Sequence, residues 1–270
     1  MKKFKVLVLT VVAVIALSSC GTTQTVPLTG RTHRISVSDE QVLSLSNQEY
    51  TKYMASAKKS TNAVNTAMVQ RVGKRLANAV ELYLKQNGFE ADVKNYSWEF
   101  NLVQDKSANA FCMPGGKIVV YEGLLPYTQN ETGLAIVLGH EIAHAVAKHS
   151  AEQLTKQQNQ QTGTSILGTV LNQTVGNGVG NVASAVAGQY FSFRNLKYSR
   201  DNETEADYMG LIFAAMAGYD PNVAISFWER MSQGNNNTND MFSDHPSDAK
   251  RIAAIKKDMP EALTYYKKSK

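Results

Sequence analysis

Apolar side chains recur with a helical period in two stretches near the beginning of the chain. Residues 62–86 carry an apolar residue at every fourth position, which predicts an amphipathic helix packed on a core and ending at Gly88. The apolar positions are Val64, Met68, Val72, Leu76, Val80 and Leu84. A further helix is predicted over residues 36–56, with Asp39 and Glu40 in its first turn after Ser38.

A period of two replaces the helical pattern over residues 97–103, where Trp98, Phe100 and Leu102 alternate with polar neighbours and predict a half-buried strand. Residues 117–121 (KIVVY) predict a second strand, and the Pro-Gly-Gly before them predicts a tight turn. The chain is therefore expected to have an α+β fold that is mainly α, with a small antiparallel or mixed sheet.

Residues 134–149 (LAIVLGHEIAHAVAKH) predict a helix of a different kind, because its apolar residues surround the axis instead of forming one stripe. Such a helix is buried on most sides. It nevertheless contains His140, Glu141 and His144. Three ionisable groups in a buried helix are costly unless something pairs with them.

A metal ion is the partner that this spacing favours. Residues four apart lie one turn apart on the same helix face, so His140 and His144 can ligate one zinc ion. Glu141 lies on the same rim and can hold the attacking water. This is the H-E-x-x-H pattern of zinc peptidases. A chance match is the alternative, and the apolar helical surroundings argue against it.

His149 is not predicted to be the third ligand, because five residues beyond His144 it faces about 140° away around the helix. An extended pattern would also need Gly at 147 and His at 150, where this chain has Ala147 and Ser150. His149 is expected at the surface or at the carboxyl end of the helix.

The segment SRDNETEADYMG, residues 199–210, offers a better third ligand. Glu203 and Asp207 share one helix face. Glu203 can complete a His, His, Glu zinc site, and Asp207 can hold a ligating imidazole from behind. Glu205 points roughly the other way and is expected in solvent. The alternative is an ordinary acidic, solvated helix face.

HEIAH followed by SRxxExEAD resembles the gluzincin metallopeptidase family of the CAAX prenyl endopeptidases and HtpX-like proteases, and especially its bacterial periplasmic lipoprotein members. The resemblance implies a zincin-like fold, with the sheet beside the HExxH helix and Glu203 as the third zinc ligand. It covers roughly residues 62–255.

The same resemblance assigns two further parts of the site. The segment NAFCMPGGKIVVYEGLL is similar to a sheet edge beside the zinc, where a substrate peptide adds as a strand. Asn109 and Ala110 are candidates for that contact, with an ordinary packing role as the alternative. His245, in an HPS-x-x-x-RI tail, would hydrogen-bond the oxyanion, with an ordinary loop histidine as the alternative. Arg251 in that tail is expected to form a structural ion pair.

The first residues predict export. Residues 1–19 have a basic start and a short apolar run, as in a signal peptide, and Leu17-Ser18-Ser19-Cys20 resembles a lipoprotein cleavage site. Cys20 is the expected lipid attachment point, residues 20–35 a flexible tether, and residues 36–270 a single metallopeptidase domain. An ordinary signal peptide or an uncleaved anchor are the alternatives.

Charge and cysteine content fit that location. Removing the three lysines of residues 1–19 lowers the formal charge from +5 to +2, which gives no case for nucleic acid. Only Cys112 then remains besides Cys20, so no internal disulfide is expected, and Cys112 is expected to be a small packed hydrophobe. The Asn- and Gly-rich residues 157–188 predict either a lid or a helical hairpin.

These features predict a zinc metalloendopeptidase with one Zn²⁺ per chain, Glu141 as the base and His245 as the oxyanion donor. It would be lipid-anchored in the bacterial cell envelope, in the outer membrane facing the periplasm, and would degrade misfolded envelope proteins. Two alternatives stay open: a chaperone-like, catalytically quiet protein on the same fold, and a zinc hydrolase acting on a cell-wall amide.

Overall fold

The computed structural model describes residues 21–160, 192–233 and 249–269. Four of the predictions fall outside these ranges: the signal peptide of residues 1–19, Cys20, His245 and most of the Gly-rich stretch, from residue 161 onward. Within the described ranges, no helix combines the length and the apolar character needed to cross a bilayer.

The segment predicted as a flexible tether is instead a β-hairpin. Strand β1 (Thr22–Thr25) pairs antiparallel with β2 (Thr32–Ile35). Val26 in the connection and Ile35 at the end of β2 are buried in the core. The sequence did not indicate this hairpin, because its residues are mostly polar and its strands are only four residues long. The contacts that hold the hairpin come from distant parts of the chain.

Two long helices follow where the sequence predicts them. Helix α1 (Asp39–Ser56) begins with a capping box made by Ser38 and Gln41. Helix α2 (Ala63–Gln86) begins at Asn62, whose side chain accepts a hydrogen bond from a backbone N–H of the first turn. The predicted apolar stripe is buried from Val72 to Leu84, but Val64 is 79% exposed in the first turn, so its place in the core was wrong.

A three-stranded sheet comes next, built from β3 (Glu99–Val103), β4 (Ala110–Met113) and β5 (Lys117–Tyr121). The strand order is β3-β5-β4, with β3 parallel and β4 antiparallel to the central β5. The predicted Pro-Gly-Gly turn joins β4 to β5, and Gly115 and Gly116 both have a positive φ that favours glycine. The sheet is therefore mixed, with β4 at an edge.

The remaining long elements are helices. Helix α3 (Glu131–Val146) is capped by Asn130, and after two residues of turn the chain is helical again over residues 149–160, here called α4. Helices α5 (Arg200–Met216), α6 (Val223–Gln233) and α7 (Ala249–Lys268) complete the described chain.

Helix α3 lies at the centre of the molecule, buried almost throughout its length, and packs against α2, β4, α5 and α6. Its closest partner is α5: a Cβ built on Gly139 would lie 2.6 Å from the carbonyl oxygen of Gly210. The predicted α+β, mainly α fold with a small sheet beside the HExxH helix is confirmed.

Candidate active site

The close contact between α3 and α5 brings three ligand-type side chains together. The Nε2 atoms of His140 and His144 are 3.1 Å apart, and the Glu203 carboxylate oxygens lie 3.4 Å from the first and 3.5 Å from the second. One ligand atom from each residue lies within 4.8 Å of the other two. The structure therefore brings together the three residues predicted as metal ligands.

His140 is held from behind by a carboxylate. Its Nδ1 lies 2.9 Å from Oδ1 of Asp207, which also accepts a hydrogen bond of 2.6 Å from Arg251. The Arg251 guanidinium in turn covers the ring of Trp228 at 3.4 Å. Because Nδ1 donates to the carboxylate, Nε2 of a neutral His140 faces the site as a bare lone pair. Asp207 and Arg251 thus take the positions that the sequence predicts.

The surroundings of His140 favour positive charge. Burial lowers the pKa of this imidazole, but hydrogen bonds to Asp207 and Glu203 outweigh that effect and raise the pKa to about 9. The donor set of two imidazoles and one carboxylate matches a catalytic zinc site, which has three protein ligands and one open position. The residues present therefore fit a zinc ion.

His149 lies neither at the surface nor at the carboxyl end of α3, contrary to the prediction. It is 1% exposed, and its Nδ1 lies 2.8 Å from Nδ1 of His144. The prediction assumed one helix through residue 149, but α3 ends at Val146 and the chain turns through Lys148, which has a φ of +53°. Two salt bridges of 3.0 Å each, to Asp39 and Asp92, hold Lys148 in this turn.

Glu205 is also buried rather than solvated. It lies 2.9 Å from Nε2 of His149 and accepts hydrogen bonds from Thr29 at 2.6 Å and from Arg31 at 2.8 Å. Burial raises the pKa of its carboxyl, but the hydrogen bonds from His149, Arg31 and Thr29 outweigh burial and lower that pKa to about 2. The β-hairpin therefore supplies two of the donors that surround Glu205.

Glu152 on α4 ties the same hairpin to the helix. Its carboxylate lies 2.9 Å from Arg31, 3.1 Å from His33 and 2.8 Å from Lys156. Burial raises the pKa of this carboxyl, but these three neighbours outweigh it and hold the pKa well below 4.5. His33 is thus part of the buried network.

We expect the stability of the protein to fall more steeply with acid than that of Glu152→Gln. A carboxyl whose pKa is depressed in the native state stabilises the fold above its ordinary pKa and loses that contribution progressively as pH falls from the ordinary pKa toward the native value. Urea unfolding at several values between about pH 5 and about pH 3 measures the effect. Parallel stability curves for the two proteins would show that Glu152 makes no such contribution.

Among the other predicted site residues that the structure describes, Glu141 lies on α3, and Asn109 and Ala110 lie at the start of β4. Glu141 follows His140 on α3 and is 3% exposed. Ala110 begins β4, the strand that packs on α3, and Asn109 precedes it, with its carbonyl accepting from the Tyr121 N–H. Cys112 is buried on β4, and burial raises the pKa of its thiol well above 9, which fits the predicted packing role.

Tyr198 is a neighbour of the site that the sequence did not indicate. Its ring stacks on His144 with 4.1 Å between ring centroids and 20° between planes. Its hydroxyl lies 2.9 Å from that of Ser150 at the start of α4. No periodic pattern marks this residue, because it lies in the short segment just before α5.

A mainly helical fold whose HExxH helix meets a glutamate from a second helix defines the class of HExxH metallopeptidases. The chain belongs to peptidase family M48, whose family model matches residues 63–259.

Known relatives agree with that family. The chain is 37% identical over 178 residues to the mitochondrial metalloendopeptidase OMA1 of Schizosaccharomyces pombe, covering 63% of this chain and 49% of the relative. It is 40% identical over 186 residues to the Arabidopsis thaliana protein of that name, covering 68% and 36%. It is 25% identical over 136 residues to the beta-barrel assembly-enhancing protease of Escherichia coli, covering 50% and 28%.

The chain spans half or less of the length of these curated relatives. The predicted family is confirmed, whereas the predicted likeness to periplasmic lipoproteins in particular is not, because the relatives with 37% and 40% identity are named mitochondrial.

Proposed function

We propose that this protein is a zinc-dependent endopeptidase in which His140, His144 and Glu203 hold one zinc ion per chain. The observation that carries the proposal is the convergence of their ligand atoms within 4.8 Å of one another, at the contact between two buried helices. Asp207 positions the first imidazole through its Nδ1. Zinc, when bound there, supplies a Lewis acid that polarises the scissile carbonyl and activates water.

The protein's own groups then move the protons. Glu141, one residue beyond the first ligand on α3, accepts a proton from the attacking water and passes it to the leaving amine. His245, which lies outside the described residues, is assigned by resemblance alone to donate a hydrogen bond to the oxyanion of the tetrahedral intermediate.

A peptide substrate is proposed to bind along the β4 edge of the sheet. An extended chain can add to such an edge through main-chain hydrogen bonds. Asn109 and Ala110 stand at the start of β4, the strand that packs on the HExxH helix. A peptide bound there would run past the zinc ligands.

Metal analysis and an unfolded-protein substrate test this function together. The full chain, purified in detergent, is expected to carry one zinc per molecule by plasma mass spectrometry and to cleave reduced, unfolded casein until a chelator is added. Glu203→Gln should lose most of the zinc and the cleavage. Asp201→Asn, an exposed carboxylate on the same helix, should retain both. Full zinc occupancy in Glu203→Gln would overturn the assigned ligand set.

A lipid anchor on Cys20 and a role in degrading misfolded envelope proteins belong to the same proposal. The lipoprotein-like cleavage site at residues 17–20 supports the anchor. The Escherichia coli relative is named for β-barrel assembly, which supports an envelope role. Cys20→Ser is expected to move the protein from the membrane fraction to the soluble envelope fraction in a bacterial host. Unchanged membrane association of this variant would contradict the anchor.

A further inference from the structure

His144, the second proposed zinc ligand, has a different kind of partner at Nδ1 from His140, the first. Nδ1 of His140 meets a carboxylate directly, whereas Nδ1 of His144 meets another imidazole, that of His149, at 2.8 Å. The far nitrogen of that second imidazole, Nε2, lies 2.9 Å from Oε2 of Glu205. A chain of two short contacts therefore runs from the ligand, through an intervening histidine, to a buried carboxylate.

We propose that His149 and Glu205 are positioning residues that fix the tautomer of His144, so that its Nε2 faces the metal without a proton. This inference rests on the proposed zinc site. Nothing in the HExxH pattern requires it, because the pattern contains neither residue.

The direction of each hydrogen bond follows from the acceptor at the end of the chain. An ionised carboxylate only accepts, so His149 donates its Nε2–H to Glu205. With its one proton there, His149 presents a lone pair at Nδ1. The contact of 2.8 Å to the other Nδ1 then requires a proton on His144, and a neutral His144 that is protonated at Nδ1 has none at Nε2.

The hairpin keeps Glu205 in the accepting role. Thr29 donates to one of its oxygens at 2.6 Å, and Arg31 donates to the other at 2.8 Å. A carboxylate that receives a guanidinium and a hydroxyl is stabilised in the ionised form. The position of the ligand is thus linked to a β-hairpin that lies 174 residues away from Glu205 in sequence.

Two features hold the imidazoles of His149 and His144 in this arrangement, one acting on each ring. The turn at Lys148 sets the direction in which α4 leaves, and therefore where His149 points. The Tyr198 ring stacks on the face of the His144 ring with 4.1 Å between their centroids, which leaves the edge of the His144 ring for its hydrogen bonds. Fully buried groups of this kind have little freedom to adopt another rotamer.

The test measures zinc affinity without catalysis. Zinc dissociation constants are obtained for the full chain in detergent by competition with a chromogenic chelator. His149→Leu keeps an apolar side chain of similar bulk but removes both nitrogens, and we expect it to weaken zinc binding by about 10–100-fold. His149→Asn places an amide oxygen near the position of Nδ1 and should recover about 10-fold of that loss. Far-ultraviolet circular dichroism of each variant checks the fold.

Nitrogen-15 NMR of the wild-type protein provides a reading that does not depend on any variant folding. The proposal requires His149 to carry its proton on Nε2 in the zinc-loaded protein, with Nδ1 as an acceptor. A proton on Nδ1 of His149 would overturn it. So would a folded His149→Leu protein whose zinc dissociation constant stays within about twofold of wild type.

A separate variant distinguishes this failure from failure of the zinc site itself. His144→Ala removes the ligand and should weaken zinc binding by more than His149→Leu does. If wild type binds zinc and His144→Ala does not weaken it, the proposed ligand set is wrong. If His144→Ala weakens it and His149→Leu does not, the ligand set stands and the positioning role is wrong.

Discussion

Replacing Glu141 by glutamine is expected to lower kcat/KM for peptide hydrolysis by about 10²–10⁴-fold, the range for loss of a positioned general base. The Glu141 side chain follows the first ligand on α3 and is buried. The other described carboxylate on α3 is Glu131, which lies in the first turn of the helix and does not take its place. Because glutamine keeps the shape of glutamate and Glu141 is not a proposed ligand, zinc content should stay at one per chain. Steady-state cleavage of a fluorogenic peptide and metal analysis measure the two quantities.

Glu131→Gln is the matched control for this substitution. Glu131 lies in the first turn of the same helix and pairs with Arg71 at the surface. Its loss should leave kcat/KM within about twofold, since an exposed ion pair contributes little. If Glu141→Gln cleaved peptides at the wild-type rate, the general-base assignment would be wrong. If it lost cleavage but still protected envelope proteins in cells, the chaperone-like alternative would be favoured.

Enlarging Gly210 is expected to damage both stability and zinc binding. A Cβ at this position would lie 2.6 Å from the backbone nitrogen and 2.7 Å from Cα of His140. Since these are backbone atoms, α3 and α5 must move apart. Helix propensity alone would make Gly210→Ala stabilising by about 1 kcal/mol. We expect the clash to reverse the sign and destabilise the protein by about 1–3 kcal/mol, as overpacking typically does.

The same movement should weaken zinc binding by about 10-fold or more, because the proposed ligands are divided between the two helices. A graded series separates packing from propensity: Gly210→Ser and Gly210→Val should be progressively worse than Gly210→Ala. Thr204→Ala, at an exposed position on α5, is the control and should change neither urea unfolding nor zinc affinity appreciably. A more stable Gly210→Ala protein would show that the two helices can separate without cost.

The local parts of the site could be predicted from the sequence, because helical periodicity is enough to place them. His140 and His144 are one turn apart in any helix, and so are Glu203 and Asp207. That the two pairs meet required the resemblance, since periodicity within one helix carries no information about its partner. The glycines that allow the meeting, Gly139 and Gly210, had no distinguishing local pattern.

The contact of His144 with His149, and that of His149 with Glu205, could not be predicted in the same way. The angle between His144 and His149 was calculated for a continuous helix, and a single residue with positive φ, Lys148, changes it. That residue is a lysine, which gives no local signal for a left-handed conformation, and its two carboxylate partners come from distant segments. Glu205 was assigned to solvent because it points away from Glu203 and Asp207 on the helix, and the hairpin that covers it was expected to be a flexible tether.

If Cys20 carries the proposed lipid, the docked hairpin also limits how far the catalytic domain can move from the membrane. A flexible segment of the length of residues 20–35 could span about 50 Å when fully extended. Strand β1 begins at Thr22, so a lipid on Cys20 would be followed by one residue before the folded body. An enzyme anchored in this way would stay close to the bilayer surface and would reach proteins held at the membrane rather than those diffusing well away from it.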